Sequence, residues 1–407
     1  LRLAFVVQRY GLEIAGGAEY HCRLVAEHLA RHAQVEVLTT CAGDYIRWAN
    51  RYKEGSETIN GVVVRRFRVK RPRDPEKFAA WSRRVFDENH TPADELHWLE
   101  EEGPCSPRLV RFLTRHAERY DHVVFFSYRY YTTYHGIMAV PDKAILVPTA
   151  EDDGVYRLSI FPPLFRRPRA IVYNSIEERD MILKNTRNEH VLGDVVGVGS
   201  ELPPRCDPAR FRERFGIKDR FALYVGRIDR NKGCPQMIDF FLRFRRDRGA
   251  RLRMVLIGQE ILSVPENDAI QSLGFLADQD KWDALAAAEL LIMPSALESL
   301  SIVMLEAWWA KRPVLANAKC AVLRGQCLRS NAGLYYSNYD EFSEALTTLA
   351  DDQELCRALG RNGRAYYERH YSWAVIERKY LRLFSTIKQC NSSKGMPESS
   401  PAASAST

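Results

Sequence analysis

Ala222-Leu223-Tyr224-Val225-Gly226-Arg227-Ile228-Asp229-Arg230-Asn231-Lys232-Gly233 is the stretch on which the reading of this chain turns. Four apolar residues run into a glycine, then a short polar loop closed by a second glycine, which predicts a β-strand ending in a turn. Within the loop, Arg227 and Lys232 stand five residues apart. A planar guanidinium fork and a compact ammonium so placed can reach one diphosphate from two directions, or remain two solvated surface cations. The same strand-then-helix alternation recurs on both sides of this segment. Upstream lie Leu3 to Val7, Val35 to Leu38, Val123 to Phe126, Ala144 to Val147 and Ala170 to Tyr173; downstream lie Met254 to Ile257, Leu290 to Met293 and Pro313 to Leu315. Alternation of this kind predicts βαβ units in parallel sheets, and hence an α/β protein. Ala18, Cys22, Val25 and Leu29 recur at helical spacing on one face, as do Trp282, Leu285 and Ala286.

A length of 407 residues favours two to three domains. Gly197-Val198-Gly199-Ser200-Glu201-Leu202-Pro203-Pro204 is dense in turn formers and suits an interdomain hinge. The expected organisation is therefore a first domain over 1–197, a second over 198–371, a closing helix over 372–387 and a disordered tail over 388–407, where Ser, Pro, Ala, Gly and Asn prevail. Two α/β halves joined by a hinge imply a cleft, with ligands at the carboxyl ends of the strands.

Hydrophobic residues make up 46% and charged residues 27%, which excludes collagen-like and wholly disordered classes. The net charge of +7 favours anionic partners without choosing among them. Nine cysteines without a CxxC pair argue against a zinc site and a disulfide framework, so a reducing cytoplasm is the expected location. The apolar run Leu3 to Val7 is too short for a signal peptide, and no apolar window is long enough to span a bilayer.

Two further stretches carry candidate chemistry. After the first strand comes Ala15-Gly16-Gly17-Ala18-Glu19, where glycines at a helix N-terminus let the backbone approach an anion, or simply form a flexible loop. The spacing is not GxGxxG, which disfavours a nicotinamide cofactor. The second stretch is Pro294-Ser295-Ala296-Leu297-Glu298-Ser299-Leu300-Ser301-Ile302-Val303-Met304-Leu305-Glu306-Ala307. With Ser299 to Ser301 expected to start a helix, their N–H groups could bind a phosphate, and Glu306 would lie about two turns along. Eight residues would separate the carboxylates of Glu298 and Glu306 by about 12 Å along the axis. One could hold a hexose and the other a ribose; alternatively Glu298 is a first-turn acid and Glu306 a solvated one.

Together these elements resemble the glycosyltransferase family 4 pattern over about residues 1 to 385. The matching pieces are Gly16-Gly17-Ala18-Glu19, GRxxxxKG at Gly226 to Gly233, and Glu-x7-Glu at Glu298 to Glu306. Weaker matches are Val172-Tyr173-Asn174-Ser175 with Glu177-Glu178, Gly274-Phe275 and Pro313-Val314-Leu315. The resemblance implies a GT-B fold, two Rossmann-like αβα domains facing across a deep cleft. It also implies a retaining transfer from a nucleotide-diphosphate sugar to a glycan or lipid-linked glycan acceptor, in cell-surface polysaccharide assembly, with no cofactor and no required metal. Arg227 and Lys232 would hold the donor diphosphate, Glu298 the sugar hydroxyls and Glu306 the ribose. Gly16, Gly17, Gly226, Phe275, Ser299, Leu300 and Ser301 would complete the donor site.

The pattern has departures. Where the family carries a Thr-x-His-Asp segment, this chain reads Thr149-Ala150-Glu151-Asp152, so a carboxylate stands at the histidine position. A neutral imidazole can donate to a sugar hydroxyl, whereas an ionised carboxylate only accepts. The change admits an altered sugar contact, a partly protonated Glu151, or an inactive protein. The family's GxG after the next strand reads Gly258-Gln259-Glu260, and Arg312 precedes Pro313. Two alternatives to the transferase thus stay open: a catalytically silent nucleotide-sugar-binding subunit, and a GT-B nucleotide-sugar epimerase or hydrolase.

A basic run holds Arg65, Arg66, Arg68, Lys70, Arg71 and Arg73. It is either a peripheral contact with anionic membrane at the cytoplasmic face or a solvated strand end. Nucleic acid is not expected, because no stacking motif accompanies the charge. His135 is expected to be packed rather than catalytic. The tyrosines from Tyr128 to Tyr134 suit a sugar-stacking wall or interdomain packing.

Overall fold

Runs such as Leu3-Ala4-Phe5-Val6 and Leu290-Leu291-Ile292-Met293 carry no polar residue and are buried throughout, as expected for strands covered by helices on both faces. The computed structural model describes residues 1–393 other than Ala15 and Pro204. Its first sheet consists of β1 (Arg2–Val6), β2 (Gln34–Thr40), β3 (Gly55–Ile59), β4 (Val62–Phe67), β5 (His122–Phe126), β6 (Ala144–Val147), β7 (Ala170–Tyr173) and β8 (Leu192–Val195). Their spatial order is β3-β4-β2-β1-β5-β6-β7-β8, and only the β3/β4 pair is antiparallel.

The second sheet consists of β9 (Phe221–Val225), β10 (Arg253–Ile257), β11 (Ile270–Ser272), β12 (Leu290–Met293), β13 (Val314–Asn317) and β14 (Gly333–Tyr336). It is parallel throughout, in the order β11-β10-β9-β12-β13-β14. In each sheet the strand order reverses beside the first strand, at β1 between β2 and β5 and at β9 between β10 and β12. The crevices that ligands occupy in such sheets therefore open at the carboxyl ends of β1 and β9.

Nine strands match the sequence reading, and five others lie outside it. The β3/β4 hairpin turns at Asn60-Gly61, where φ is +48° and +81°. An Asn-Gly pair with two positive φ angles is the favoured hairpin turn, so that signal was present in the sequence. β8, β11 and β14 are three or four residues long; Gly and Asp break β8, Gln and Ser break β11, and β14 offers only Leu334-Tyr335-Tyr336 after its glycine, too short a run to mark a strand.

The basic run is partly paired within the first domain. Arg65 pairs with Glu36 at 2.8 Å, Arg66 with Glu57 at 2.6 Å, Arg73 with Glu102 at 2.6 Å, and Arg71 with Glu101. Arg66 and Arg73 are only 3% and 8% exposed. Four of the six cations are thus paired with carboxylates from β2, β3 and the helix Pro92–Glu102, which takes the buried Arg66 and Arg73 out of any surface patch, whereas Arg68, Lys70 and Arg71 remain exposed.

The last helix, Trp373–Ser393, runs past the expected limit of 387, so residues 388–393 are helical; the rest of the proposed tail, 394–407, lies outside the described residues. This helix follows the second domain yet lies against the first. Trp373 stacks on His28 with ring centroids 3.6 Å apart, and Glu377 takes His28 Nδ1 at 2.8 Å and His32 Nε2 at 2.9 Å. Lys379 donates to Val195 O at 3.1 Å, and Phe384 stacks on His122 of β5. One continuous apolar core accordingly includes β1, β9 and this helix. No helix among the described residues is long and apolar enough to cross a membrane.

Candidate active site

The loop after β9 is shaped by two glycines that cannot be replaced cheaply, one in it and one after β10. Gly258, with φ +146°, passes so close to Gly226 that a Cβ there would sit 1.9 Å from Gly226 O. Gly233, with φ +75°, would place a Cβ 2.5 Å from Pro294 O, which brings the loops after β9 and β12 together. Between Gly226 and Gly233, Asp229 organises the loop. Its Oδ1 accepts from the Lys232 backbone N–H at 2.7 Å, and its Oδ2 lies 3.2 Å from the Arg227 guanidinium. Tyr224 Oη donates to Arg227 O at 2.7 Å.

Lys232 Nζ then meets Glu298 Oε1 at 2.7 Å. Burial alone would depress the lysine's pKa, but the charge and hydrogen bond of Glu298, with Glu151 beyond, outweigh it and the net shift is upward. Lys232 is therefore a firm cation. Glu151 comes from the first domain, on the loop after β6, and faces this pair across the cleft. Burial raises its pKa, the charge of Glu298 raises it further, and Lys232 pulls the other way. The arrangement brings together Arg227, Lys232, Glu298 and Glu151, all four of the candidate catalytic residues.

The segment from Ser299 to Ser301 differs from expectation. The helix spans Ile302–Trp309, and Ser301, at φ +76°, is its N-cap, its Oγ accepting from Met304 N at 3.3 Å. Ser299 and Leu300 precede the helix rather than open it. Glu306 consequently lies about 6 Å along the axis from Ile302, little more than one turn in, and the 12 Å spacing estimate does not apply. Nor is Glu306 solvated. It is 1% exposed, with Oε1 held by Lys281 Nζ at 2.8 Å and Oε2 without a protein partner. Burial raises its pKa against the pull of Lys281.

Gly16 is the N-cap of the helix Gly17–Leu29, and a Cβ at Gly16 would sit 2.2 Å from Glu19 Oε2, whereas Gly17 faces open space. Glu19 itself pairs with Arg9 at 2.6 Å. Tyr20, on the same helix, has its pKa raised by burial and then by the charge of Glu306, so this helix approaches the Glu306 side of the second domain. Phe275 is 75% exposed, just after Gly274 at φ +66°. Tyr128, Tyr130 and Tyr134 are buried, Tyr128 and Tyr134 within the first domain's core, and form no stacking wall. His135 packs against Tyr131 and Tyr134.

Sequence reasoning missed three groups that shape the site. Lys281 sits on the helix Asp278–Ala287, with no motif to mark it. Arg129 joins Glu102 at 3.1 Å to Asp153 at 3.6 Å, bracing the loop that carries Glu151. Glu178, singled out only as half of an acidic pair, is 1% exposed and reaches the same loop.

Residues 207–366 match the family described as "Glycosyl transferases group 1". Among curated proteins, the chain is similar to the alpha-D-kanosaminyltransferase of Streptomyces kanamyceticus, 28% identical over 44% of this chain and 49% of that protein. It is also similar to a GDP-mannose-dependent monoacylated alpha-(1-6)-phosphatidylinositol monomannoside mannosyltransferase of Corynebacterium glutamicum, 29% identical over 31% of this chain and 35% of that protein. The chain thus spans half or less of the length of these relatives. Among solved structures, Anabaena Alr3699/HepE in complex with UDP and glucose superposes with a TM-score of 0.69 at 16% identity, covering 95% of this chain and 99% of that one. The chain has the GT-B fold, and within its second domain residues 207–366 match the group 1 glycosyl transferase family.

Proposed function

We propose that this GT-B protein, whose residues 207–366 match the group 1 glycosyl transferases, transfers a sugar from a nucleoside-diphosphate sugar to a glycan or lipid-linked glycan, with retention at the anomeric carbon. The observation that carries the reading is the convergence of Arg227, Lys232 and Glu298 at the crevice beside β9, with Glu151 opposite. The bond between the anomeric carbon and the diphosphate breaks as the acceptor oxygen bonds to the same face of that carbon, and the acceptor's proton passes to the departing diphosphate. No protein nucleophile is needed. The chain's contribution is electrostatic: Arg227, half-exposed and planar, and the cation Lys232 stabilise charge on the leaving phosphate in a partly dry cleft.

Glu298 accepts from sugar hydroxyls on the far side of Lys232, and the free Oε2 of buried Glu306 suits a ribose hydroxyl. With two protein cations on the diphosphate, turnover needs no metal. Buried free thiols such as Cys22, Cys41 and Cys234 support a reducing, cytoplasmic location, and a lipid-linked acceptor would place the reaction in cell-surface polysaccharide assembly.

The test is thermal stabilisation by UDP, GDP, ADP, CMP and NAD. A ligand at a hundredfold excess over its Kd adds about 2.7 kcal/mol to the native state. A selective shift with one nucleoside diphosphate is expected; no shift with any of them would overturn the donor-site assignment.

One observation favours a second reading, a silent nucleotide-sugar-binding subunit. Glu151 occupies the position of a donor-capable histidine, and its raised pKa leaves it next to a second carboxylate, Glu298. Donor binding without turnover in the native protein, with turnover appearing in Glu151→His, would decide for it.

A further inference from the structure

A bridge inside the first domain fixes the ends of two strands. Glu178 is the third residue of the helix Ile176–Thr186, whose N-cap Ser175 accepts from Glu178 N at 3.1 Å. In a capping box the side chain at this position returns to the N-cap's own N–H. Here it does not. Glu178 Oε2 accepts from Asn174 N at 2.6 Å, one residue before the cap, and Oε1 crosses to the neighbouring strand's loop and accepts from Ala150 N at 2.6 Å. One carboxyl group therefore ties the end of β6 to the end of β7.

The tie falls where the backbone needs holding. Thr149, the residue before Ala150, has φ +51°, a conformation that is an outlier for a β-branched side chain and costs about 1–3 kcal/mol. Such a conformation persists only where the surroundings over-determine it. Ala150 is 2% exposed, and its N–H has Glu178 as partner in place of water. The next residue along is Glu151, which faces Lys232 and Glu298 across the cleft.

We propose that Glu178 is a positioning residue for Glu151: by holding the Ala150 N–H and the strained Thr149 turn, it sets where the Glu151 carboxyl stands against the transferred sugar. This rests on the donor-site reading given above for the catalytic consequence, though not for the loop geometry itself. Burial pushes the Glu178 pKa up to about 8, against the pull of the two N–H donors, and the charge of Glu151 adds to the rise. The two carboxyls thus sense each other, one on the loop after β6 and the other holding that loop from the helix.

Three variants test it: Glu178→Gln, Glu178→Asp and Ser175→Ala. Gln offers one acceptor oxygen and turns an N–H donor toward the second backbone N–H, so one arm of the bridge is lost with the side-chain volume kept. Asp keeps both oxygens on a shorter stem. Ser175→Ala removes only the helix cap and controls for loss of helix stability.

In Glu178→Gln, kcat for nucleotide-sugar turnover is expected to fall by roughly 10- to 100-fold, as for a misplacement of about 1 Å, with KM for the donor nearly unchanged. Amide hydrogen exchange should quicken in the segment 148–153 and stay unchanged in the second domain. Glu178→Asp should recover part of the rate, and Ser175→Ala should lower Tm with kcat near that of the native protein. Full kcat in folded Glu178→Gln, or faster exchange spread evenly over the first domain, would overturn the proposal. Stabilisation by UDP and GDP is measured on the same samples. Its absence from the native protein would count against the donor site, while the exchange comparison would still support or overturn the hold of Glu178 on the loop.

Discussion

Replacing Lys232 by Met removes one cation from between two carboxylates and leaves the chain almost the same volume. Lys232 Nζ lies 2.7 Å from Glu298 Oε1, with the side chains 30% and 13% exposed. Removing one partner of a fully buried pair costs about 3–5 kcal/mol, and exposed pairs contribute about 0–1. A half-buried pair lies between, so Lys232→Met should cost about 2 kcal/mol, or about 4–8 °C in Tm for a domain of this size. Most of that cost is the stranded charge of Glu298 beside Glu151. The double variant Lys232→Met/Glu298→Gln should therefore regain most of the lost Tm.

Turnover follows a different rule. Loss of one charged group that stabilises the leaving phosphate costs roughly 10²- to 10³-fold in kcat, and neutralising Glu298 restores none of it. Scanning fluorimetry without ligand gives the stability, and release of nucleoside diphosphate from a nucleotide sugar gives the rate. A double variant no more stable than the single one would refute the stranded-charge argument. Near-native turnover in either variant would refute the role of Lys232 at the diphosphate.

The glycine crossing predicts that Gly258→Ala lowers Tm by the equivalent of about 3 kcal/mol or more, since its Cβ would meet Gly226 O at 1.9 Å and a positive φ would be forced on alanine; an unchanged Tm would contradict the crossing. The pH dependence has a definite sign. A carboxyl whose folded pKa is raised stabilises fully below its ordinary value of 4.5, and that contribution is lost as pH rises through about 8 for Glu178. Glu151 and Glu306, also raised by burial, act in the same direction. Stability should therefore decline from mildly acidic to mildly alkaline pH, with a shallower slope in Glu178→Gln, as followed by denaturant midpoints. Turnover should survive a metal chelator, because Arg227 and Lys232 supply the charge; its loss on adding the chelator, with recovery on adding divalent cation, would refute that.

Much of the fold was legible because both sheets are mostly parallel and covered on both sides, so their central strands read as unbroken apolar runs between glycines. The loop from Gly226 to Gly233 was legible for a related reason: its chemistry and its turn lie in one contiguous stretch. What the sequence left hidden depends on distance along the chain. Lys281 meets Glu306 from another helix, and Glu178 meets Ala150 from the helix that follows the neighbouring strand. Neither pairing, one between two helices and one between a helix start and a strand-end loop, leaves a local pattern. The pairing within the basic run was hidden for the same reason, since Arg65, Arg66, Arg71 and Arg73 find their carboxylates on other elements. The helix start at Ile302 rather than Ser299 reflects capping by Ser301, which two further serines nearby made ambiguous.

The helix Trp373–Ser393 bears on how the chain comes to be folded. It closes the first domain's core, with Tyr380 fully buried and Phe384 against His122, yet it is made after every strand of the second domain. During synthesis the first domain must therefore wait, its sheet paired but one apolar side uncovered, until the second domain has formed and the final helix has returned. Contacts between residues so far apart in sequence form late and slowly. A nascent chain of this design has a prolonged interval of exposed hydrophobic surface, and it is there, rather than in the finished molecule, that a chaperone would have most to do.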